Sequence, residues 1–143
     1  PTLLEWREEV LRCVFDLEPD KKLLDANRVY YREHIADGTH VAIIAENDGE
    51  QCGCGGVCFS DELPSPDNPT GRCGYIMNVY VRPVFRRQGI AYKIVSRLIE
   101  EAKNHDCIKI YLESTHDGRP VYASSGFKEM NDMMKYDPNY END

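Results

Sequence analysis

A basic turn that contains glycine joins a strand-like segment to a strongly amphipathic helix in the second half of the chain. The turn is Arg86-Arg87-Gln88-Gly89-Ile90-Ala91, the strand-like segment covers residues 75–82, and the helix extends to about residue 104. The first N–H groups of a helix have no partners within the helix, and the helix dipole favours an anion there. This strand–turn–helix unit therefore predicts a phosphate-binding site.

The length and charge of the chain limit its organisation and its partners. The 143 residues allow one domain with a single core, and the formal net charge is −8. A chain this acidic is not expected to bind nucleic acid through a broad basic face. No apolar run approaches the length of a membrane span, and no signal-peptide pattern is present. We therefore expect neither nucleic acid nor membrane as a partner, and a cytoplasmic location.

Three of the six cysteines, Cys52, Cys54 and Cys58, lie close together in a strand-like segment. Even-numbered positions of a strand share one face, and ligands on one straight strand cannot surround zinc. We expect these side chains to pack a sheet as small apolar groups, without a metal, in a reducing compartment. A thiol of Cys54 or Cys58 that carries the acyl group is a remote alternative.

The hydrophobic pattern predicts helices and strands in an order typical of one α/β domain with a mixed sheet. An Asn-Asp-Gly turn at residues 47–49 predicts a hairpin, and the loop at residues 61–72 is long for a compact domain. We expect the domain to cover residues 1–136 and a polar tail to cover 137–143. The predicted helices are residues 3–17, 22–36, 88–104 and 120–125, and the predicted strands are 41–46, 51–60, 73–82, 107–113 and, as a final strand or hairpin arm, 127–136.

Two common phosphate-binding loops do not match the chain. A P-loop requires Gly-Lys followed by Ser or Thr, and here Gly89 is followed by Ile90. Gly53 and Gly55 begin a dinucleotide-binding pattern, but Cys58 occupies the position of its third glycine and no helix follows. Those glycines are expected to lie in a strand, where another backbone packs closely.

The basic turn matches a third pattern. Arg86-x-x-Gly89-x-Ala91 follows the Arg/Gln-x-x-Gly-x-Gly/Ala signature, and the preceding residues 75–83 are similar to the central strand of the same family. Downstream, residues 118–127 resemble its second motif, in which a tyrosine, here Tyr122, is followed by Gly-Phe. On these motifs, the region 73–136 resembles the GCN5-related N-acetyltransferases (GNAT family).

The resemblance implies a mostly antiparallel sheet with a central, splayed parallel pair of strands, flanked by helices. It also implies acetyl-CoA as the co-substrate and no metal. The pantetheine arm would lie along the main chain of Val79, Tyr80 and Val81, and an N–H near Val79 would face the thioester oxygen. The cofactor's diphosphate would lie on the turn, which comprises Arg86, Arg87, Gln88, Gly89, Ile90 and Ala91.

The reaction implied by the resemblance is direct attack of an amine on the thioester. Tyr122 matches the tyrosine that protonates the leaving sulfur, and a phenol has a pKa close enough to that of a thiol for this role. Glu113 is the first candidate for the general base. Asn78 or Tyr80 holding a water, His116 acting directly, or a relay of waters are the alternatives.

The chain departs from the family pattern in two places. The connection before Tyr122 lacks an asparagine that contacts the cofactor in many members, and no strand precedes the first predicted helix.

The acceptor is expected to be a small-molecule amine, received by acids outside the motifs, with a protein N-terminus or lysine as an alternative. A non-catalytic acyl-CoA-binding regulatory domain and a nucleotide-binding module are further alternatives, and a homodimer is left open. The candidate acids are Asp61, Glu62, Asp67 and Glu33.

Overall fold

The computed structural model describes residues 1–141, which form four α-helices, four strands and one 3-10 helix. The mixed α/β prediction is confirmed. The elements are α1 (Thr2–Cys13), α2 (Lys21–Ala36), β1 (His40–Asn47), β2 (Glu50–Asp61), β3 (Arg72–Val81), the 3-10 helix (Pro83–Phe85), α3 (Ile90–Asn104), β4 (Lys109–Leu112) and α4 (Arg119–Ser124).

The sheet has the strand order β1-β2-β3-β4. The β1–β2 and β2–β3 pairs are antiparallel, and the β3–β4 pair is parallel because α3 carries the chain back between them. The hairpin closes between Asn47 and Glu50 through Asp48 and Gly49, whose φ angles are 52° and 81°. Positive φ at both central residues is typical of the two-residue turn that the Asn-Asp-Gly sequence predicts.

The main core lies between the sheet and α3. A Cβ at Gly55 would lie 2.6 Å from Cγ2 of Ile94, so α3 packs directly on the bare backbone of β2. This close approach accounts for Gly55, and a Cβ at Gly53 would lie 3.1 Å from Cδ1 of the same Ile94 side chain. Both glycines lie within β2 and are therefore not part of a nucleotide loop. The buried side chains of this core include Val57, Ile76, Ile94, Leu98 and Ala102.

The opposite face of the sheet is covered by α1 and α2. Trp6 and Val10 of α1 pack against Cys54 and Tyr80. The Arg82 guanidinium lies over the Trp6 ring, 4.3 Å from its centre, and also pairs with a carboxylate of α1. These contacts orient α1 along β3. None of the helices within residues 1–141 is both long and apolar enough to cross a membrane.

The first helix ends earlier than its hydrophobic pattern predicts. We expected a helix over residues 3–17, but α1 ends at Cys13, and Asp16 has a left-handed φ of 52°. Val14 and Phe15 are 42% and 55% exposed. Their apolar character extends the helical periodicity, but the side chains border a cleft rather than the core.

The predicted final strand at residues 127–136 is wrong. The structure has no strand there, and residues 128–141 are exposed. A strand forms only where another strand offers hydrogen-bond partners, which a local pattern does not reveal.

The prediction that Cys52, Cys54 and Cys58 share one face is also wrong. A register shift between Ala45 and Glu46 of β1 leaves Cys52 without a partner, as the bulged residue of β2. Cys52 therefore borders a small cavity beside α3, whereas Cys54 packs under α1. All six cysteines are free thiols.

His40 is a buried histidine that stays neutral in the folded protein. Burial lowers its pKa from 6.5 to about 4. Its Nδ1 lies 2.9 Å from the Tyr30 hydroxyl, and a Cβ at Gly56 would lie 2.7 Å from its Nε2. The imidazole is thus enclosed between α2 and β2.

We expect His40 to make the protein less stable in mild acid. Below pH 6.5 the unfolded chain binds a proton on His40, but the folded protein does so only near pH 4, so the free energy of unfolding falls through this window. A pKa lowered from 6.5 to about 4 corresponds to about 3 kcal/mol once the pH lies below 4. Urea denaturation across this range should show a smaller pH slope for His40→Gln than for wild type, while His116→Gln, at an exposed histidine, keeps the wild-type slope. Equal slopes in all three proteins would contradict the assignment.

Candidate active site

The parallel strands β3 and β4 separate after four paired positions. Their register runs from Cys73↔Lys109 to Ile76↔Leu112, whereas the pairing of β3 with β2 continues to Val81. From Met77 onward, β3 therefore has one main-chain edge that no strand occupies within residues 1–141. An extended ligand could add to such an edge as an extra strand.

A bulge at Asn78 lies at the start of this free edge. Asn78 has a left-handed φ of 59°, and the β2–β3 register shifts between Cys54 and Gly56. This conformation costs about 1 kcal/mol even for an asparagine. The Cys54 thiol donates to the Asn78 carbonyl oxygen at 3.3 Å, which supports the bulge from below. The bulge leaves Asn78 and Val79 between the paired positions Met77 and Tyr80.

A cleft of about 1100 Å³ opens at this gap. Its walls come from α1, from β3, from the basic turn with the start of α3, and from the segment that follows β4. It brings together most of the site residues that the sequence analysis selects. Those that line it are Val79, Tyr80, Val81, Arg86, Arg87, Gly89, Ile90, Ala91, Glu113 and Tyr122.

Gln88 is placed differently from its neighbours in the turn. It lines a separate cavity of about 260 Å³, between the β1–β2 hairpin and the first turn of α3. Ile90 borders both spaces. The structure thus brings the side chains of the turn to two different cavities.

The basic turn offers a run of unused N–H groups. Arg86 N donates to Pro83 O and Lys93 N donates to Gly89 O, but between them the N–H groups of residues 87–92 have no acceptor within the described part of the chain. Arg87 and Gly89 have φ angles of 66° and 76°. Successive N–H groups in a turn with left-handed residues form an anion-binding concavity at the helix N-terminus.

The two arginines of the turn have different surroundings. Arg86 Nε donates to the Val81 carbonyl oxygen at 2.9 Å, and its guanidinium lies 5.8 Å from the centre of the Tyr80 ring. Arg86 therefore ties the turn to the end of β3. Arg87 is exposed beside the cleft. The carbonyl of Val81 is occupied by this internal bond.

Tyr122 projects into the cleft from α4. Burial raises the pKa of its phenol above the usual 10, so the hydroxyl stays protonated at neutral pH. The Phe127 ring packs edge-on against the Tyr122 ring, with centres 6.0 Å apart, and Phe127 N donates to Tyr122 O at 3.0 Å. The Tyr-Gly-Phe motif thus holds the phenol that α4 presents.

Glu113 follows the last residue of β4 and is exposed at the cleft. The pKa of Tyr75 is raised, first by burial and then by the negative charge of Glu113. The Tyr75 and Tyr111 rings lie 5.0 Å apart. Glu113 therefore lies near the Tyr75 phenol and lines the cleft, a position from which a carboxylate can accept a proton.

The alternative catalytic residues have other surroundings. Tyr80 is 5% exposed and packs against Trp6, and burial raises its pKa. The Asn78 side-chain oxygen accepts from Arg7 at 2.8 Å. Burial raises the pKa of Cys54 to about 12, so this residue is a thiol rather than a reactive thiolate at neutral pH.

Two of the loop acids predicted to receive the acceptor, Asp61 and Glu62, form ion pairs within the protein. Asp61 pairs with Arg72 at 3.2 Å, and Glu62 pairs with Lys109 at 3.1 Å. The far wall of the cleft is formed instead by α1 and the residues after it, including Arg7, Val14 and Phe15. Sequence reasoning missed this wall because its apolar residues fit a continued helix, and an arginine on a helix has no local signature.

Comparison with known proteins agrees with this geometry. The acetyltransferase (GNAT) family model matches residues 3–127. A predicted acetyltransferase from Clostridium acetobutylicum, solved with acetyl-CoA, is 32% identical, with a TM-score of 0.86 over 95% of this chain and 88% of that chain. A GCN5-related N-acetyltransferase from Ralstonia eutropha is 26% identical, with a TM-score of 0.77 over 94% of this chain and 90% of that one.

Two enzymes with named acceptors are also similar in sequence. Glucosamine 6-phosphate N-acetyltransferase 1 of rice (Oryza sativa subsp. japonica) is 30% identical over 122 residues, which cover 82% of this chain and 72% of the rice enzyme. Thialysine N-epsilon-acetyltransferase of Sus scrofa is 26% identical over 121 residues, which cover 72% of this chain and 65% of the pig enzyme. The fold, the family model and these relatives agree: the chain belongs to the GNAT acetyltransferase family and is an acetyl-CoA-dependent N-acetyltransferase.

Proposed function

We propose that this enzyme acetylates the amine of a small molecule by direct attack on the thioester. The observation that carries the proposal is a single cleft that joins the basic turn, the free edge of β3, Glu113 and Tyr122. The relatives named for glucosamine 6-phosphate and for thialysine, both small amines, support this class of acceptor.

The donor would be held mainly by the main chain. The free N–H groups of residues 87–92 suit a diphosphate, and Arg87 adds positive charge beside them. Arg86 contributes by holding the turn against Val81. The free edge of β3 along Val79, Tyr80 and Val81 would take up the pantetheine arm as an added strand.

The remaining groups account for the proton movements. Glu113, directly or through a water, would accept the proton of the attacking amine. The N–H of Val79, beside the Asn78 bulge, would stabilise the negative charge that develops on the thioester oxygen. Tyr122, kept protonated by burial, would donate its proton to the leaving sulfur as the C–N bond forms and the C–S bond breaks.

A thiol-release screen tests the function. The enzyme with acetyl-CoA is offered amino acids, amino sugars, their phosphates, polyamines and peptides with a free N-terminus or lysine. We expect amine-dependent release of coenzyme A with a small-molecule class. Release only with peptides would favour a protein acetyltransferase, and tight acetyl-CoA binding without release from any amine would favour a regulatory acyl-CoA-binding role.

We expect Glu113→Gln to lower kcat by about 100-fold with little change in the Kd for acetyl-CoA, because only the proton acceptor is lost. Steady-state kinetics and calorimetry measure the two quantities. Glu129→Gln, which removes an exposed carboxylate paired with Arg119, serves as the control and should retain activity. Unchanged turnover in Glu113→Gln would exclude this residue and leave His116, a water held by Asn78 or Tyr80, or a relay of waters as the base.

A further inference from the structure

We propose that Arg7 binds an anionic group of the acceptor, so that the acceptor is an amine that also carries a carboxylate or a phosphate. This inference rests on the proposed function and deepens it. Arg7 is a half-buried residue of α1 whose side chain lines the cleft. It lies outside the region that carries the family motifs.

The Arg7 guanidinium is held in place by three neighbours. Nε donates to the Asn27 side-chain oxygen at 3.1 Å, and Nη1 donates to the Asn78 side-chain oxygen at 2.8 Å. The Phe15 ring lies with its centre 5.4 Å from Cζ. Asn27 is itself fixed, since its amide donates to the Leu23 carbonyl oxygen at 2.9 Å. Contacts from α1, α2 and β3 therefore orient one cation at the cleft wall.

The positive charge of Arg7 is not balanced by an anion. Within residues 1–141 its hydrogen bonds go only to the two neutral amides, and no carboxylate lies within 4.0 Å of it. A guanidinium has five N–H donors, and these bonds use two. A partly buried cation with donors to spare favours an anionic partner. Six other arginines do pair with carboxylates, namely Arg12, Arg28, Arg72, Arg82, Arg97 and Arg119.

The position of Arg7 places that partner beside the reacting atoms. Asn78, which accepts from Arg7, immediately precedes Val79, the residue proposed to stabilise the thioester oxygen. Adjacent Cα atoms are about 3.8 Å apart. An acceptor whose anionic group binds the free donors of Arg7 would therefore need only a few bonds between that group and the amine that attacks the thioester.

The charge of the whole protein makes this contact decisive for specificity. The net charge of −8 disfavours an anionic substrate unless a local cation compensates. Arg7 provides that cation and also repels polycationic acceptors such as polyamines from the same wall. The planar guanidinium can donate two parallel hydrogen bonds to a carboxylate or to a phosphate, so both anions remain within the proposal.

Matched pairs of amines test the inference. Amino acids are compared with their carboxamides, and glucosamine 6-phosphate with glucosamine, in thiol-release kinetics of wild type, Arg7→Gln, Arg7→Lys and the control Arg12→Gln. We expect the wild type to prefer the charged member of one pair, which tells carboxylate from phosphate. Arg7→Gln should raise the KM for that member by about 10- to 100-fold. The KM for the neutral analogue and the Kd for acetyl-CoA should stay unchanged.

Arg7→Lys should recover part of the loss, and Arg12→Gln, on the exposed side of α1, should behave as wild type. The inference is overturned if wild type uses both members of every pair equally, or if Arg7→Gln lowers kcat equally for both. If no amine causes release of thiol from acetyl-CoA, the proposed function fails. Calorimetry then tests separately whether Arg7 binds an anionic group. Binding of the charged member to the coenzyme A complex of wild type but not of Arg7→Gln supports the anion site, and binding to neither refutes it.

Discussion

Gly89→Glu is expected to abolish acetyl-CoA binding, with the Kd raised at least 100-fold. A Cβ at Gly89 would meet no protein atom within 4 Å, so the new side chain would extend into the space above the free N–H groups of residues 87–92. There it would occupy the position of the diphosphate and add a charge of the same sign. The protein has room for the side chain, so the main loss should be in binding, and stability should fall only by the backbone cost of a side chain at this φ.

The backbone at Gly89 requires a matched control. Its φ of 76° is unfavourable for any side chain, which costs about 1 kcal/mol. Gly38, after α2, has a φ of 78° and is equally free of neighbours within 4 Å. Gly38→Glu should therefore show the same change in Tm as Gly89→Glu but bind acetyl-CoA normally in calorimetry. Retained affinity in Gly89→Glu would refute the assignment of this turn.

Tyr122→Phe is expected to lower kcat by about 100- to 1000-fold while acetyl-CoA binds as before. The substitution removes only the hydroxyl, and the ring can still pack against Phe127. Without the phenol, the sulfur would leave as an unprotonated thiolate. The raised pKa of Tyr122 means that the proton is present throughout the neutral range.

Tyr136→Phe, at a tyrosine that is 77% exposed outside the cleft, is the control for this experiment. It should leave kcat unchanged. A solvent-derived proton could also protonate the sulfur, so the comparison is made at several pH values. If kcat of Tyr122→Phe equals that of wild type across the pH range, Tyr122 is a packing residue and not the acid.

Local patterns predicted the elements whose signals lie within a few residues. The helix over 22–36 is found as α2, with Asp20 accepting from Leu23 N as its N-cap, and the helix over 88–104 is found as α3. The hairpin at residues 47–49 is confirmed by the pairing of β1 with β2. Helix caps, turn residues and hydrophobic periodicity are local properties of the sequence. They can therefore be recognised without knowledge of the tertiary contacts.

The wrong predictions share a physical cause. The helix over 3–17 was extended through Val14 and Phe15 because they are apolar, although they border the cleft. The strand at 127–136 needed a neighbour that no local pattern specifies, and the common face of the cysteines was lost at a bulge. In each case the environment that decided the outcome came from another part of the chain.

By itself, the sequence was enough to predict the family, which the family model confirms, and to name the residues proposed for the donor side of the site. The spacing of Arg86, Gly89 and Ala91, with Tyr122 before Gly-Phe, is a short-range pattern that sets backbone conformation and the position of a phenol. The features on which the proposed acceptor side rests are visible only in the tertiary structure. The separation of β3 from β4 and the bulge at Asn78 depend on pairing between strands, and the contact of Arg7 with Asn78 joins residues 71 positions apart. Such contacts depend on how α1 packs across the sheet, which no segment encodes alone.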